Sequence, residues 1–385
     1  MVLTRRAHRA RMLITLRLPN EVLTEIIRCA KKPDQATLCR VSRLFHGLVL
    51  PILNRAISLN LVDKEGCAYE PVLKQFLQSL IRNPERADAV RSLTFFRRWT
   101  YEVPVDHDLL FKSMNLMRNL ESLSFNDLRE QNTTTPRLAC LTLPHLSRCC
   151  IMVTHTGVSA ATDLARFLSQ HPSIVRLFVW VLPLVGGTNS LDPGPTFLPN
   201  LRHYHGTRIF LDRLSTRSLQ VARFPVEEAR IESDVQAINA LTNRNFPFVL
   251  SLEYYFGRSE HLIQTLLLAL SAGFSHIRSL QLRAHDTNPL GITALQHVTT
   301  HLPHFNQIAY FSLTYSKRQP EYVVNAESDQ AAFETWVATS STLIGCCIGN
   351  VARKKLGEKW ERLSVEDFDK QAGFSVFEPI WPDDD

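Results

Sequence analysis

The feature that most constrains the fold is a recurrence. From about residue 60 onward, a short segment of alternating apolar residues returns after each stretch of helical periodicity. The segments are VRSLTFF, LESLSFN, LSRCCIM, IVRLFVW, LRHYHGT, VLSLEYY, IRSLQLR and FNQIAYF. Their anchors, Leu93, Leu123, Cys149, Leu177, Tyr204, Leu252, Leu280 and Ile308, stand roughly 26 to 30 residues apart, with one wider gap. That gap, between Tyr204 and Leu252, has room for a short irregular unit around SLQVARF at Val221. The intervening stretches, such as GVSAATDLARFLSQHPSI and GITALQHVTTHLPHF, place apolar residues at i, i+3, i+4 and i+7 and meet Pro or Gly before the next strand. A corner phrase, apolar-Pro-x-apolar, recurs as Leu143–Leu146, Leu198–Leu201 and Leu302–Phe305, with a variant at His171–Ile174.

One strand and one helix cannot bury their apolar faces alone, whereas a stack of such units makes a continuous core. The pattern predicts an irregular α/β solenoid over residues 61–345, strands lining a concave side and helices a convex side. Two polar stretches, NDLREQNTTTPRLACL and VLPLVGGTNSLDPGPTFLPN, read as loops, the second protruding. Residues 346–385 read as a terminal cap and a short acidic tail, EPIWPDDD; the amphipathic run into the cap carries Trp336 and Trp360.

Residues 16–60 have a different rhythm. Leu18, Val22, Leu23, Ile26 and Ile27 fall on one helical face, with Pro19 and Glu21 suited to a first turn. Pro33 breaks that pattern, Asp34 can cap a following helix, and Leu38, Val41, Leu44, Phe45 and Leu48 form another apolar stripe. Pro51 interrupts it, and ILNRAISLNL turns strand-like. Two or three short helices bury only a small core, so part of this apolar surface is left for a partner or for the next domain. Arg5, Arg6, Arg9 and Arg11 make residues 1–15 a flexible basic segment. It does not read as a targeting peptide, because apolar residues from Leu13 run straight into the module.

Composition narrows the function. With 385 residues, 45% hydrophobic and 21% charged, the chain can bury a sizeable core. The net charge of +6 is concentrated at the N-terminus, not along a folded face, which argues against nucleic acid as a partner. No apolar run approaches the ~20 residues of a membrane span. The eight cysteines include adjacent pairs, Cys149-Cys150 and Cys346-Cys347, unsuited to structural disulfides or zinc knuckles. They read as buried thiols in a reducing compartment, cytoplasm or nucleus. Phosphate-loop, dinucleotide, zinc-protease and nucleophile-elbow motifs are absent from the sequence. His203 and His205 share a strand face without carboxylate or Cys partners. The expectation is a non-enzyme with no metal and no cofactor.

The N-terminal module resembles the F-box. That family's pattern opens Leu-Pro-x-Glu, matched by Leu18-Pro19-Asn20-Glu21, and continues through Val22, Leu23, Ile26, Ile27 and Leu38 to a Val-Ser pair at Val41-Ser42. Phe45 stands where many members carry Trp. Two positions depart: Gln35 replaces the usual Leu and Ala30 is small, changes expected to weaken adaptor binding without abolishing the fold. The units behind it resemble degenerate leucine-rich repeats, and an F-box followed by such repeats is a recurring architecture, fungal proteins included.

The resemblance implies a substrate receptor of an SCF-type cullin–RING ubiquitin ligase. Leu18, Pro19, Leu23, Ile26, Ile27, Val41, Ser42 and Phe45 would dock on a Skp-family adaptor, and the repeat domain would capture a protein target. Strand alternation turns Leu93 and Phe95 inward and Thr94, Phe96, Asn126, Phe178, Trp180, Tyr255, Gln281 and Arg283 toward the concavity. Of these, Phe96, Phe178, Trp180, Tyr255 and Arg283 are the candidate target contacts, joined by Arg97, Arg98 and Trp99. The alternative is an interaction scaffold without ligase association.

Overall fold

The computed structural model describes residues 18–61, 69–97, 105–127, 134–155, 158–183, 194–216, 218–227, 235–236, 248–255, 260–274, 276–284, 292–315 and 326–377. It is a mixed α/β protein built on a large, mostly parallel sheet. The chain divides into two compact units, residues 1–129 with 140–146, and residues 130–139 with 147–385.

The first unit opens with three short helices, α1 (Asn20–Cys29), α2 (Lys32–Leu38) and α3 (Arg43–Leu53). Glu21 and Arg28 sit at the ends of α1 where the helix dipole favours each. Pro33 lies in the first turn of α2, where its missing N–H costs nothing, so Asp34 is a first-turn residue and not a cap. Ser42 caps α3, its Oγ accepting the Phe45 N–H at 3.2 Å. That cap divides the stripe read as a single helix. α3 also runs through Pro51 to Leu53, and Asn54 Nδ2 donates to the Leu50 carbonyl at 2.9 Å beyond it.

Strands β1 (Ala56–Leu61), β2 (Ser92–Arg97) and β3 (Ser122–Asp127) follow, separated by α4 (Tyr69–Arg82), α5 (Pro84–Asp88) and α6 (His107–Met114). The strands pair in parallel, with Ile57, Leu93 and Leu123 in register. Their inward residues Leu93, Phe95, Leu123 and Phe125 are fully buried, as alternation predicts. Phe95 and Phe125 stack at 5.0 Å, and Phe111 of α6 meets Phe125 at 6.0 Å. Helices therefore cover this face of the strands.

The second unit repeats the plan. Its elements are α7 (Thr134–Leu138), β4 (Arg148–His155), α8 (Val158–Ser169), β5 (Arg176–Pro183), β6 (Thr196–Phe197), β7 (His203–Gly206), α9 (Arg208–Arg213), β8 (Leu214–Ser215), β9 (Val221–Glu227) and β10 (Val249–Tyr255). Then come α10 (Glu260–Gly273), β11 (Ser279–Ala284), α11 (Ile292–His301), β12 (Tyr310–Tyr315), α12 (Ala326–Thr339), β13 (Gly345–Ile348), β14 (Val351–Leu356), β15 (Lys359–Leu363) and α13 (Val365–Ala372). The sheet order is β4-β5-β7-β9-β10-β11-β12-β13-β14-β15, parallel as far as β13 and antiparallel after it. The short unit expected at Val221 is β9. Leu177, Tyr204, Ala222, Leu250, Leu280, Phe311 and Cys346 align across the strands, so the anchors Leu252 and Ile308 sit off the common register.

The corner phrases are one local device. The N–H of the fourth residue donates to the first carbonyl in Leu143–Leu146 (3.1 Å), His171–Ile174 (3.1 Å), Leu198–Leu201 (3.2 Å) and Leu302–Phe305 (3.2 Å). Each has Pro at the second position, where its fixed φ suits the turn, and the apolar residues at both ends are buried. After three of these corners, two successive N–H groups share one carbonyl of the preceding unit: Val175 and Arg176 on Ser147, Arg202 and His203 on Val175, Ala309 and Tyr310 on Arg278; Arg278 and Ser279 share Phe248 in the same way. Gly206 lets β7 close on β5, since a Cβ there would lie 1.9 Å from the Val179 carbonyl oxygen.

Three segments differ from the sequence reading. The described end of the protruding loop is tied down: β6 pairs with β8, and Thr196 and Leu198 are buried. α7 occupies part of the polar stretch, with Leu138 buried. Within residues 346–377, two hairpins precede α13, turning at Gly349-Asn350 and Gly357-Glu358 with both glycines at positive φ. The tail from residue 378 and the segment 1–17 lie outside the described residues. Among the described residues, no helix is long and apolar enough to cross a membrane.

Candidate interaction surfaces

The helical module separates its apolar residues into two sets. Leu23 (5% exposed) and Ile27 (1%) are interior, as is Val49 of α3. Leu18, Val22 and Ile26 (56%) are exposed along α1, and Val41 (63%) and Leu44 are exposed at the approach to α3. Of the eight expected adaptor contacts, Leu18, Pro19, Ile26, Val41 and Ser42 therefore lie on the surface, Phe45 is half-buried, and Leu23 and Ile27 are core. Val22 and Leu44 belong with the exposed set. Helical periodicity marks them as apolar, but only the packing of α1 and α2 on α3 decides which side of the stripe is left outside.

Gln35 has a specific role inside the module. It is 6% exposed, and its Nε2 donates to the carbonyl oxygens of Ile27 at 3.0 Å and Ala30 at 2.9 Å. A helix leaves its last carbonyls without intrahelical partners, and this amide supplies two of them at the end of α1. The departure from the usual Leu is thus a buried, internal cap of α1.

The second surface is the sheet face turned away from the helices. In the first unit Thr94 and Phe96 are half-buried there and Asn126 is buried; Arg97, also half-buried, alternates to the face of Leu93 and Phe95, and Arg98 and Trp99 lie outside the described residues. In the second unit one row of this face runs in register through Cys150, Phe178, His205, Arg223, Ser251, Gln281, Ser312 and Cys347. At its β5–β7 end the row is aromatic. Phe178 and Trp180, both half-buried, stack at 6.2 Å, and the His205 ring meets their edges at 4.5 and 6.0 Å. Burial and the neighbouring Arg176 and Arg202 lower the pKa of His203. Among the described residues, no group of three His, Cys, Asp or Glu is placed to hold a metal.

Further along, the face becomes polar and closed. Arg223 Nε donates to Glu253 Oε1 at 2.8 Å and its Nη2 contacts the same oxygen; both side chains are buried. Arg283 Nη1 lies 3.8 Å from Glu253, and its Nη2 lies 3.9 Å from Asp369 of α13. Ser251 Oγ donates to Gln281 Oε1 at 2.8 Å. Burial, then the nearby Asp369 carboxylate, push the Cys347 thiol up to about 12 against the opposing pull of Ser312 and Arg283.

The closure comes from α13. Phe368, Ala372 and Phe374 pack with Ala309, Tyr310, Cys347 and Ala352 in one buried cluster, with Phe368 edge-on to Tyr310 at 5.9 Å. Gly345 has no room for a side chain, because the Tyr310 and Phe368 rings lie against it. Arg283 is thus engaged within the chain and Gln281 is fully buried, whereas Phe178 and Trp180 remain partly open. Tyr255 lies on β10, its side chain outside the described residues. The network formed by Arg223, Glu253 and Arg283 escaped sequence reasoning, although the three recur on the same strand face of successive units. No family model matches this chain, and no curated protein matches it.

Proposed function

We propose that this chain is a substrate-recognition subunit of an SCF-type ubiquitin ligase: the helical module docks on a Skp-family adaptor and the strand–helix units, as a leucine-rich-repeat-like solenoid, hold a protein target. The observation that carries the reading is the split of the Leu-Pro-x-Glu module into a small interior and a set of exposed apolar side chains. Among the described residues ten large apolar side chains are exposed, and Leu18, Val22, Ile26, Val41 and Leu44 are five of them, gathered in a span of 27 residues. Solvent-facing apolar residues concentrated on one small module are what a protein interface uses as anchors. Gln35, buried and hydrogen-bonded inside the module, supports the reading. Catalysis of ubiquitin transfer then belongs to partners, and this chain contributes by holding target and enzyme together, raising their effective concentration. The reading places the protein in the cytoplasm or nucleus.

Co-expression with a Skp-family adaptor followed by affinity capture tests it. The native chain is expected to bring down adaptor, and Ile26→Asp or Val41→Asp to lose it while staying folded. Leu23→Asp serves as a folding control, since Leu23 is core. Absence of adaptor from the native capture overturns the reading.

A further inference from the structure

We propose that the second face of β10–β12 is a docking surface for an acidic, aromatic-bearing helical segment of a partner protein, and that α13 is its built-in, displaceable occupant. The proposal rests on the reading of this face as the capture face and is independent of adaptor docking.

Four observations converge on α13. It is capped at both ends by its own residues: Ser364 Oγ accepts the Asp367 N–H at 3.0 Å, and Gly373, left-handed at φ 84°, donates its N–H back to Asp369 and Lys370. It follows β15, the last strand of the sheet, so among the described residues lifting it together with the turn Phe374–Phe377 breaks no strand pairing. Its charge complements what it covers at one point. Asp369 reaches the face, 3.9 Å from Arg283, which stands beside Glu253, while Glu366 and Asp367 are exposed and engaged on the helix itself by Lys370 and Ser364.

The fit, finally, is uneven. Phe368 and Phe374 fill the apolar end of the face near Tyr310 and Ala309. Yet Gln281 Nε2 and Thr314 Oγ1, both buried on this face, hydrogen-bond to no described protein group. A buried donor left unpaired is costly. An occupant that offered acceptors to Gln281 while keeping the aromatic and the carboxylate would bind better than α13 does. The chemistry that the face accepts can be read from its present occupant: one aromatic with one carboxylate beside it on a helix.

The adjacent cysteines of β13 give a direct test in the native full-length chain. Both are buried, but Cys347 lies under α13 whereas Cys346 points into the opposite, helix-covered face. Local lifting of α13 bares Cys347 alone; global unfolding bares both. Alkylation followed by peptide mass analysis is expected to modify Cys347 at least about tenfold faster than Cys346, the mark of sub-global opening. Equal rates would make α13 part of the cooperative core and overturn the proposal. A second arm uses a fluorescent peptide of residues 364–377 as the probe. It is expected to bind a full-length Phe368→Asp chain, whose own α13 cannot seat, and not the native chain. A Phe368→Asp chain that fails to fold, or folds and ignores the peptide, overturns the proposal as well. Adaptor capture is read on the native chain, whose α13 is intact, so failure here is distinguishable from failure of the ligase reading.

Discussion

Replacing Gln35 by Glu tests whether the residue that breaks the F-box pattern is an internal cap. The substitution is isosteric, but it removes the Nε2 donor and points an acceptor at two carbonyl oxygens, Ile27 at 3.0 Å and Ala30 at 2.9 Å. Each hydrogen bond contributes about 1 kcal/mol net, and stranding buried acceptors costs more, so the expected loss is about 2–4 kcal/mol at neutral pH. The loss carries a pH signature. Burial and the facing carbonyls favour the neutral form of the introduced carboxyl, which raises its pKa in the folded state above the unfolded value of about 4.3. The deficit is therefore full above the folded pKa and shrinks as pH falls below it, where the protonated acid regains one donor. Gln35→Met, which has neither donor nor charge, should show a loss that is independent of pH. Hydrogen exchange of the α1 and α2 amides, measured across urea concentrations at several pH values, reads the module directly. A Gln35→Glu chain within about 0.5 kcal/mol of native at pH 7, the scale of an ordinary surface substitution, or one whose deficit grows as pH falls, would refute the cap.

Three further outcomes follow from the packing. Gly206→Ala drives a Cβ onto the Val179 carbonyl, and urea unfolding should show a loss above the ~1 kcal/mol typical of single substitutions. Arg223→Met takes from buried Glu253 its nearest cation, leaving Arg283 at 3.8 Å, for an expected cost of about 3–5 kcal/mol by the same assay. His171 is buried, and burial lowers its pKa although its Nδ1 lies 2.6 Å from the Phe167 carbonyl. Its contribution is present above the unfolded value of about 6.5 and is lost as pH falls below it, so urea midpoints should drop between pH 7.5 and 5.5, and His171→Gln should reduce that drop.

The strand period and its inward residues were legible because alternation and burial are coupled: Leu93, Phe95, Leu177, Leu250 and Leu280 must point at helices for the stack to have a core. The corner phrases were legible for the same local reason, a proline turn between two buried apolar residues. The position of α13 was not legible. Its buried residues, Phe368 and Ala372, with Phe374 just beyond it, are few among charged neighbours, and the face they cover includes Val249, more than 100 residues earlier. The two hairpins could have been found, since Gly349-Asn350 and Gly357-Glu358 separate alternating segments. The capping role of Gln35 was not legible, because a linear motif comparison sees only a missing Leu, while the carbonyls that need its amide come together only when α1 and α2 fold back on each other.

The central claim, that the helical module is a docking end, is tested most directly by titrating the purified full-length chain with a purified Skp-family adaptor in a calorimeter. The account expects a saturable one-to-one complex, weakened by at least about 30-fold in Ile26→Asp, as loss of an anchor worth 2 kcal/mol requires. That chain should keep native amide protection in α1. A native chain that gives no heat of binding, or an Ile26→Asp chain that binds as tightly as the native one, would contradict it.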